Sequence, residues 1–410
     1  MTDPLAAAIR KYLPDATRFL QRLVQTPSLP GQEQEAMRRC ERAFQKLGVR
    51  IARVPLADSL KQDPDYSDPI PGLRYRGRFN LRVVRKGNGG GKKLFVNAHT
   101  DVVPPSEGMK DPWGGRVKGG ILYGRGACDD KGQIAVLWLA LKALDAAKIQ
   151  TAGDLVAHLV VEEENGGNGS LAMARTGEKA DGCVVLEPSE GKLFTSIRGA
   201  VWFRLLLHGV AGHSGQAGQT RSALLMARDA IAALEAYHAK LLAASRGLPL
   251  FDPYPNPMPI TFGKLQAGNW PAAAPSRASL EGVLGLLPNR TKEQVMRGMR
   301  AALDRAAAGA LKNRYDLSFM YRHDSSVVAP SHPLPQTILA AARSVGAPLE
   351  IGAMTASCDA WFYNNQLGVP TVVLGAGTLK VAHSKDEQVS LQSVADTART
   401  LAEVARQFCG

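Results

Sequence analysis

Hydrophobic positions near the N-terminus follow helical spacing and are interrupted by breaks rich in proline and glycine. The apolar residues of segment 19–24 form one helical face. A Pro/Gly break over 27–31 separates this helix from a second helical pattern over 33–47. A loop rich in Pro, Asp and Ser follows, over about 58–77. The pattern therefore predicts two helices and a long loop before the first strand.

Further along the chain, short apolar runs without polar interruptions are typical of strands buried on both faces of a sheet. They lie at Leu94–Ala98, Leu155–Val161, Cys183–Leu186 and Thr371–Leu374. A strong helical pattern over 133–147 separates the first two. Alternation of strand and helix predicts an α/β sheet with crossover helices.

The middle of the chain has a different pattern, in the order β-α-β-β-α-β. Its predicted strands lie at 201–208, 260–265, 278–287 and 317–321, and its helices at 221–242 and 292–308. This order predicts a small α+β domain with an antiparallel sheet. The α/β pattern resumes with a helix at 335–345. We therefore expect one domain formed by 1–196 and 323–410, with a second domain, 197–322, inserted into it.

Composition narrows the possible functions. The 410 residues include 50 Lys and Arg against 37 Asp and Glu, a formal net charge of +13. A charged share of 21% is too low for a disordered chain. The basic residues are spread along the chain and aromatic residues are only 6%, so we expect no nucleic-acid partner. The positive field suits an anionic substrate equally well.

The cysteines and the apolar runs indicate in which cellular compartment the protein is located. The five cysteines are far apart and form no C-x-x-C pair, which argues against a disulfide framework and against a thiolate zinc site. We see no signal peptide, and the longest apolar run, 134–141, is shorter than the roughly 20 residues of a membrane span. The sequence predicts a soluble, cytoplasmic protein without a membrane partner.

Acids and a histidine follow three of the predicted buried strands. His99 and Asp101 follow the first, the glutamates of 162–164 the second, and Glu187 the third. Ligands of open α/β sheets bind beyond the carboxyl ends of strands, so these groups should converge. Carboxylates brought together repel one another unless a cation neutralises them. A metal ion is the simplest explanation.

Each of these residues also has a structural explanation when taken alone. His99 suits a buried core histidine, and Asp129 or Asp130 suits the N-cap of the helix that follows. The glutamates of 162–164 suit a solvated strand end, and Glu187, before a proline, suits a loop. These explanations require four coincidences at four element ends, and we favour the metal site.

Together these motifs resemble a known family. They are His99-x-Asp, the segment G-R-G-A-C-D-D-K-G at 124–132, the pair Glu163-Glu164, L-E-P at 186–188 and A-H-S-K-D-E at 382–387. The chain resembles the co-catalytic zinc amidohydrolases, which include acetylornithine deacetylase, succinyl-diaminopimelate desuccinylase, aminoacylase and glutamate carboxypeptidase. The resemblance covers nearly the whole chain. It implies a zinc-exopeptidase-like catalytic domain with a mixed, mostly parallel sheet, and an inserted ferredoxin-like lid or dimerisation domain.

The resemblance implies a role for each site residue. Asp129 would bridge two divalent metal ions, with His99 and Glu187 on one ion and Glu164 and His383 on the other. Glu163 would be the general base and Asp101 would orient His99. Zinc, with cobalt or manganese as alternatives, takes such nitrogen and oxygen ligands and leaves a position open for water. Two ions acidify a shared water, whose proton a carboxylate that is not a ligand must accept.

Two of these assignments rest on the alignment of neighbouring acids. We assign the base to Glu163 rather than to Glu164 because of their positions along the chain relative to the Gly166-Gly167 turn. Asp129 rather than Asp130 is taken as the bridge because it directly follows the G-R-G-A-x motif.

The inserted domain contributes one further candidate, His213 in the segment G-H-S-G. In the family this histidine often enters the partner subunit's active site, where it polarises the scissile carbonyl. The resemblance thus implies a homodimer through the inserted domain, with His213 in contact with the substrate.

The chain departs from the family pattern at two positions that usually contact substrate. Ala272 stands where many relatives have Asn, and Gly285 where an Arg often binds a carboxylate through two hydrogen bonds. Asn269, Arg198 or Arg277 are possible replacements, and Trp270 is a possible apolar contact.

We therefore predict a metal-dependent hydrolase that cleaves an amide bond of a small N-acylated amino acid or related molecule. A dipeptidase or carboxypeptidase with the same site is the alternative. A catalytically inactive binding homologue is disfavoured, because the implied ligands and Glu163 are all present.

Overall fold

The computed structural model describes residues 3–216 and 218–410. Before the insertion the elements are α1 (Pro4–Val24), α2 (Gln34–Phe44), β1 (Arg50–Pro55), β2 (Phe79–Arg85), β3 (Leu94–His99), β4 (Val117–Lys118), β5 (Ile121–Tyr123), α3 (Lys131–Ala146), β6 (Leu155–Val160), α4 (Asn168–Arg175), β7 (Gly182–Val185) and β8 (Lys192–Ile197). The inserted segment contains β9 (Gly199–His208), β10 (Gly212–His213), α5 (Ala223–Ala243), β11 (Ile260–Ala267), β12 (Ala273–Ala274), β13 (Arg277–Leu286), α6 (Lys292–Arg305) and β14 (Tyr315–His323). The chain ends with β15 (Ser326–Val327), α7 (Pro333–Ser344), β16 (Glu350–Met354), β17 (Thr371–Val373), β18 (Gln388–Ser390) and α8 (Leu391–Phe408).

The main sheet has nine strands, in the order β1-β2-β6-β3-β7-β17-β8-β15, with β16 also paired to β8. The four central strands β6, β3, β7 and β17 are parallel, and antiparallel pairings flank them on both sides. The predicted α/β class with a mixed sheet is confirmed. Because the central strands are parallel, their carboxyl ends lie at the same edge of the sheet.

Alternate residues of the central strands pack into different layers, which is why these strands are apolar throughout. In β3, Leu94 and Val96 belong to the cluster formed with α1, α3, α7 and α8, whereas Phe95 belongs to the cluster on the other face. Both faces are thereby covered, as expected for a parallel sheet. Among the described residues, none of the helices combines the length and the apolar composition that a membrane span requires.

The inserted segment forms a separate antiparallel sheet in the order β11-β13-β9-β14. Val201, Phe203 and Leu205 of β9 are buried in a second hydrophobic cluster with α5 and α6, whereas Trp202 and Arg204 lie on the opposite, open face. The predicted β-α-β-β-α-β order is present, with a short β10–β12 ribbon added.

Candidate active site

Strand polarity brings the predicted site residues together. His99 is the last residue of β3, and Glu164 and Glu187 follow the carboxyl ends of β6 and β7. Asp129 lies immediately before the loop residue that caps α3. Potential ligand atoms form two groups, each with all its atoms within 4.8 Å of one another. The groups are His99, Asp129, Asp130 and Glu187, and Asp129, Glu164 and His383.

Asp129 is the residue that these two groups share. Its Oδ1 lies 3.0 Å from Nε2 of His99, and its Oδ2 lies 3.2 Å from Nε2 of His383. Nε2 of His383 also lies 3.0 Å from Oε2 of Glu164, and Nε2 of His99 lies 3.9 Å from Oε1 of Glu187. The two oxygens of one carboxylate therefore face two different histidines.

The other ring nitrogen of His99 faces Asp101. Nδ1 lies 3.0 Å from the backbone carbonyl oxygen of Asp101 and 3.4 Å from its Oδ1. The nearer acceptor is thus the backbone carbonyl rather than the carboxylate of Asp101. Asp101 still holds the imidazole so that Nε2 points toward the acids, which is how a metal-ligating histidine is usually fixed.

The carboxylate of Asp101 has a second set of contacts, with the glutamate pair. Its Oδ1 accepts the backbone N–H of Glu163 at 3.2 Å, and its Oδ2 accepts that of Glu164 at 3.0 Å. Asp101 therefore connects the turn after β6 to His99 at the end of β3. Glu163 lies beside the acid groups but belongs to neither of them.

The concentration of buried acids shifts their pKa values. Burial raises the pKa of Glu187 well above its usual range, and Asp129 and Asp130 raise it further. Burial also raises the pKa of Glu163, with Asp359 and Glu164 adding to the effect. For His383, burial alone would lower the pKa, but Glu164 and Asp129 raise it to about 11.

These residues fit a divalent metal. Oδ1 of Asp130 is buried and has no hydrogen-bond partner within the described segments. Buried carboxylates carry a large desolvation cost unless a cation compensates it. Imidazole nitrogen and carboxylate oxygen are the ligands that zinc accepts.

Glu162, the first of the three glutamates, lies outside this cluster. Its carboxylate forms a buried ion pair with Arg78 and accepts hydrogen bonds from Tyr75 and Asn168, both at 2.9 Å. Arg78 also donates to Glu33 at 2.7 Å. Glu162 is therefore a structural residue at the end of β6.

The sequence analysis did not identify the role of Glu387. Its Oε1 accepts three backbone N–H groups of segment 126–129, including that of Asp129 at 3.1 Å, and its carboxylate pairs with buried Arg125. Arg125 donates to Oγ of Ser106 at 2.8 Å. These contacts hold the loop that carries Asp129.

The same contacts reach His383. Oγ of Ser106 donates to the backbone carbonyl of His383 at 2.6 Å, so Glu387, Arg125 and Ser106 join the two loops that carry His383 and Asp129. The sequence contains a signal for this connection, because Arg125 and Glu387 lie inside the two motifs already quoted.

Asp359 is a second residue that the sequence analysis missed. It is buried, and its Oδ2 accepts a hydrogen bond from Ser170 at 2.6 Å. Burial raises its pKa to about 6. Asp359 follows none of the strands predicted from the sequence and belongs to none of the motifs, so the sequence analysis had no signal for it.

His213 does not join the acid cluster. It is exposed on the β10–β12 ribbon, opposite Ala273, and its Nδ1 accepts the backbone N–H of Gly215 at 3.1 Å. Ala272 immediately precedes β12, and its carbonyl accepts the N–H of Ser214 at 3.0 Å. The structure therefore separates His213 from the other predicted site residues.

Comparison with known proteins identifies the family. Residues 95–407 match the family described as Peptidase family M20/M25/M40. The chain belongs to this family. It is 30% identical over 340 residues to the succinyl-diaminopimelate desuccinylase of Methylobacterium radiotolerans, covering 77% of this chain and 80% of the relative.

Two further proteins are similar to this chain, one in sequence and one in fold. The N-formyl-4-amino-5-aminomethyl-2-methylpyrimidine deformylase of Bacillus subtilis is 25% identical over 347 residues, covering 77% of this chain and 79% of the relative. The di-peptidase Dug1p of Saccharomyces cerevisiae has a TM-score of 0.80 at 15% identity, covering 99% of this chain and 98% of that chain. The predicted family and fold class are confirmed. The predicted function, a metal-dependent hydrolase that acts on amide bonds, is confirmed as well.

Proposed function

We propose that this member of Peptidase family M20/M25/M40 removes the acyl group from a small N-acylated amino acid or related amide, with two divalent ions, zinc foremost, at its site. The observation that carries the proposal is the position of Asp129 between two histidines, each accompanied by a further acid. His99 and Glu187 would hold one ion, and Glu164 and His383 the other.

The chain's own residues divide the chemistry among them. When bound, the ions activate water and polarise the substrate carbonyl. Glu163, beside the cluster but outside both groups, accepts a proton from the attacking water as its oxygen bonds to the carbonyl carbon. The C–N bond then breaks and Glu163 returns the proton to the leaving amine. Asp101 contacts both His99 and the backbone N–H of Glu163, and it thereby fixes the position of these two residues relative to each other.

The reactions named for two relatives support an acyl amide as substrate. The desuccinylase and the deformylase are both named for removing an acyl group from an amine. The dipeptidase or carboxypeptidase alternative uses the same site with a different pocket.

A free-amine assay across N-acyl amino acids, dipeptides and N-carbamoyl compounds tests this function. We expect metal-loaded enzyme to release amine from N-acyl amino acids and chelator-treated enzyme to release none. Hydrolysis of dipeptides alone would favour the alternative. Full metal content without release from any compound would contradict the proposed function.

Arg198 is the replacement that geometry favours for the Arg missing at Gly285. A Cβ atom at Gly285 would lie 2.9 Å from Nη1 of Arg198 and 2.8 Å from Cα of Met258. Arg198 donates to the backbone carbonyls of Thr355 and Gly199, and it pairs with no carboxylate in the described segments. Burial lowers its pKa to about 10. Asn269 and Arg277, by contrast, are exposed.

We expect Arg198→Ala to raise KM for substrates with a free carboxylate about tenfold to a hundredfold, with a smaller effect on kcat. A charge-assisted hydrogen bond to a carboxylate contributes on the order of 1.5–3 kcal/mol. Steady-state kinetics would measure this change, with Arg277→Ala as the matched control. An equal effect of both substitutions, or none for Arg198→Ala, would assign the carboxylate contact elsewhere. Gly285→Arg is a poor test because its side chain would collide with the Met258 backbone.

Exposed apolar residues around His213 support the homodimer. Val210 precedes β10, Leu224 and Leu225 begin α5, and Trp270 precedes β12; all four are exposed, Trp270 by 68%. A cluster of exposed apolar side chains usually marks an interface. In a homodimer through this surface, His213 would reach the partner's site.

We expect sedimentation at micromolar concentration to give a dimer, and Leu225→Asp to give a monomer with reduced activity. Val327→Asp, at an exposed apolar residue outside the inserted segment, is the matched control. Mixing His213→Ala with Glu163→Ala should restore activity if His213 acts across the interface. A fully active monomeric wild type would contradict the dimer.

The state of the cysteines supports a cytoplasmic location. All five are free and buried. Unpaired cysteines of this kind are typical of a reducing compartment. We therefore retain the cytoplasm as part of the proposal.

A further inference from the structure

A cleft of about 460 Å³ lies between the main domain and the open face of the inserted sheet, and it begins at the acid cluster. Glu164, one of the potential metal ligands, lines it. The cleft is thus continuous with the site of the proposed reaction. Its volume is within the range of about 300–1,000 Å³ that is usual for small-molecule pockets.

Both walls of the cleft are mostly apolar. Leu29, Ile70 and Val103 line it from loops of the main domain. Trp202, Val283 and Met320 line it from strands of the inserted sheet, which exposes this face because α5 and α6 cover the other. A bound group would therefore contact side chains of both domains.

The charged residues of the inserted wall already compensate one another. Glu281 lines the cleft, but its carboxylate lies 2.6 Å from Nε of Arg204 and 3.3 Å from Nζ of Lys264. These cations lower the pKa of Glu281 although burial alone would raise it. A charged group on a ligand would have to compete with this network, whereas an apolar group would not.

We propose that the cleft binds a large apolar group of the substrate, an aromatic or branched aliphatic group next to the scissile amide, with Trp202 as its main contact. The proposal rests on the proposed function and specifies its substrate class. It also replaces the sequence-based candidate Trp270, which is exposed and does not line the cleft.

Trp202 is suited to this role by its own packing. It is half-buried, and its ring stacks on Tyr321 with centroids 5.5 Å apart. An aromatic face held in this way offers a large contact area at little entropic cost. Its distance along the chain from the metal motifs explains why the sequence did not indicate it.

The test compares kcat/KM of metal-loaded enzyme in two matched series. One series varies the acyl group at constant amine, acetyl against benzoyl. The other varies the amine at constant acyl group, N-acetylalanine against N-acetylphenylalanine and N-acetylaspartate. We expect the larger apolar group to be preferred about tenfold to a hundredfold in at least one series. Trp202→Ala should remove most of that preference and Trp202→Phe should retain part of it.

Trp270→Ala is the matched control and should leave the preference unchanged. If Trp202→Ala does not fold, Val283→Ser tests the same wall and should reduce the preference. An active enzyme without preference for the larger group in either series would overturn the substrate class and leave the proposed function intact. An equal loss on all substrates in Trp202→Ala or Val283→Ser would also overturn it. Hydrolysis of no amide at full metal content would overturn both.

Discussion

Glu163→Ala is expected to keep nearly the wild-type metal content while the rate falls by about 10²–10⁴-fold, the usual contribution of a general base. Glu163 belongs to neither group of potential ligands, whereas Glu164 lies 3.0 Å from Nε2 of His383. Loss of Glu163 therefore removes a proton acceptor but no ligand. Elemental analysis of the purified variant and kcat on the best amide would measure the two effects.

Glu164→Ala is the matched control for this experiment. Both glutamates keep the backbone hydrogen bonds to Asp101 when their side chains are truncated, so the turn should retain its shape. We expect Glu164→Ala to lose one ion together with the activity. Loss of metal from Glu163→Ala, with full metal content in Glu164→Ala, would reverse the two roles.

Asp129→Ala is expected to reduce occupancy of both ions. Its two oxygens face His99 and His383, so one substitution removes a ligand from each group. Asp130 belongs to one group only, and its Oδ2 accepts the backbone N–H of His99 at 2.9 Å. Asp130→Ala should therefore disturb the position of His99 and affect one ion at most.

Metal titration of the two aspartate variants distinguishes these outcomes. Loss of an outer partner of a ligand typically costs about 10–100-fold in affinity, which is the change expected for one ion in Asp130→Ala. In Asp129→Ala both binding steps should weaken. Equal stoichiometry and affinity in the two variants would remove the distinction between the bridging and the neighbouring acid.

The central strands were predictable because burial on both faces makes them apolar throughout. The runs at 94–98 and 155–161 correspond to β3 and β6 to within one residue. The flanking strands were less predictable. β8 pairs in parallel with β16 and antiparallel with β17 and β15, so its environment depends on three segments distant in the chain.

The sequence by itself determined the central strands and the place where the acids converge. The candidate ligands come directly after the strands in the sequence. Because the central strands are parallel, their carboxyl ends lie at the same edge of the sheet, independently of the loops between them. His99, Glu164 and Glu187 could therefore be assigned to one site from their spacing and the family motifs.

Only the tertiary structure decided which further side chains lie around these acids and what they contact. Arg198 occupies the space beside Gly285, Glu387 holds the loop of Asp129, and Trp202 rather than Trp270 lines the cleft. These contacts join segments that lie far apart in the chain. They depend on the distance between packed layers and on which face of a sheet is covered. Hydrophobic periodicity reports whether a residue is buried, but it does not report what that residue touches.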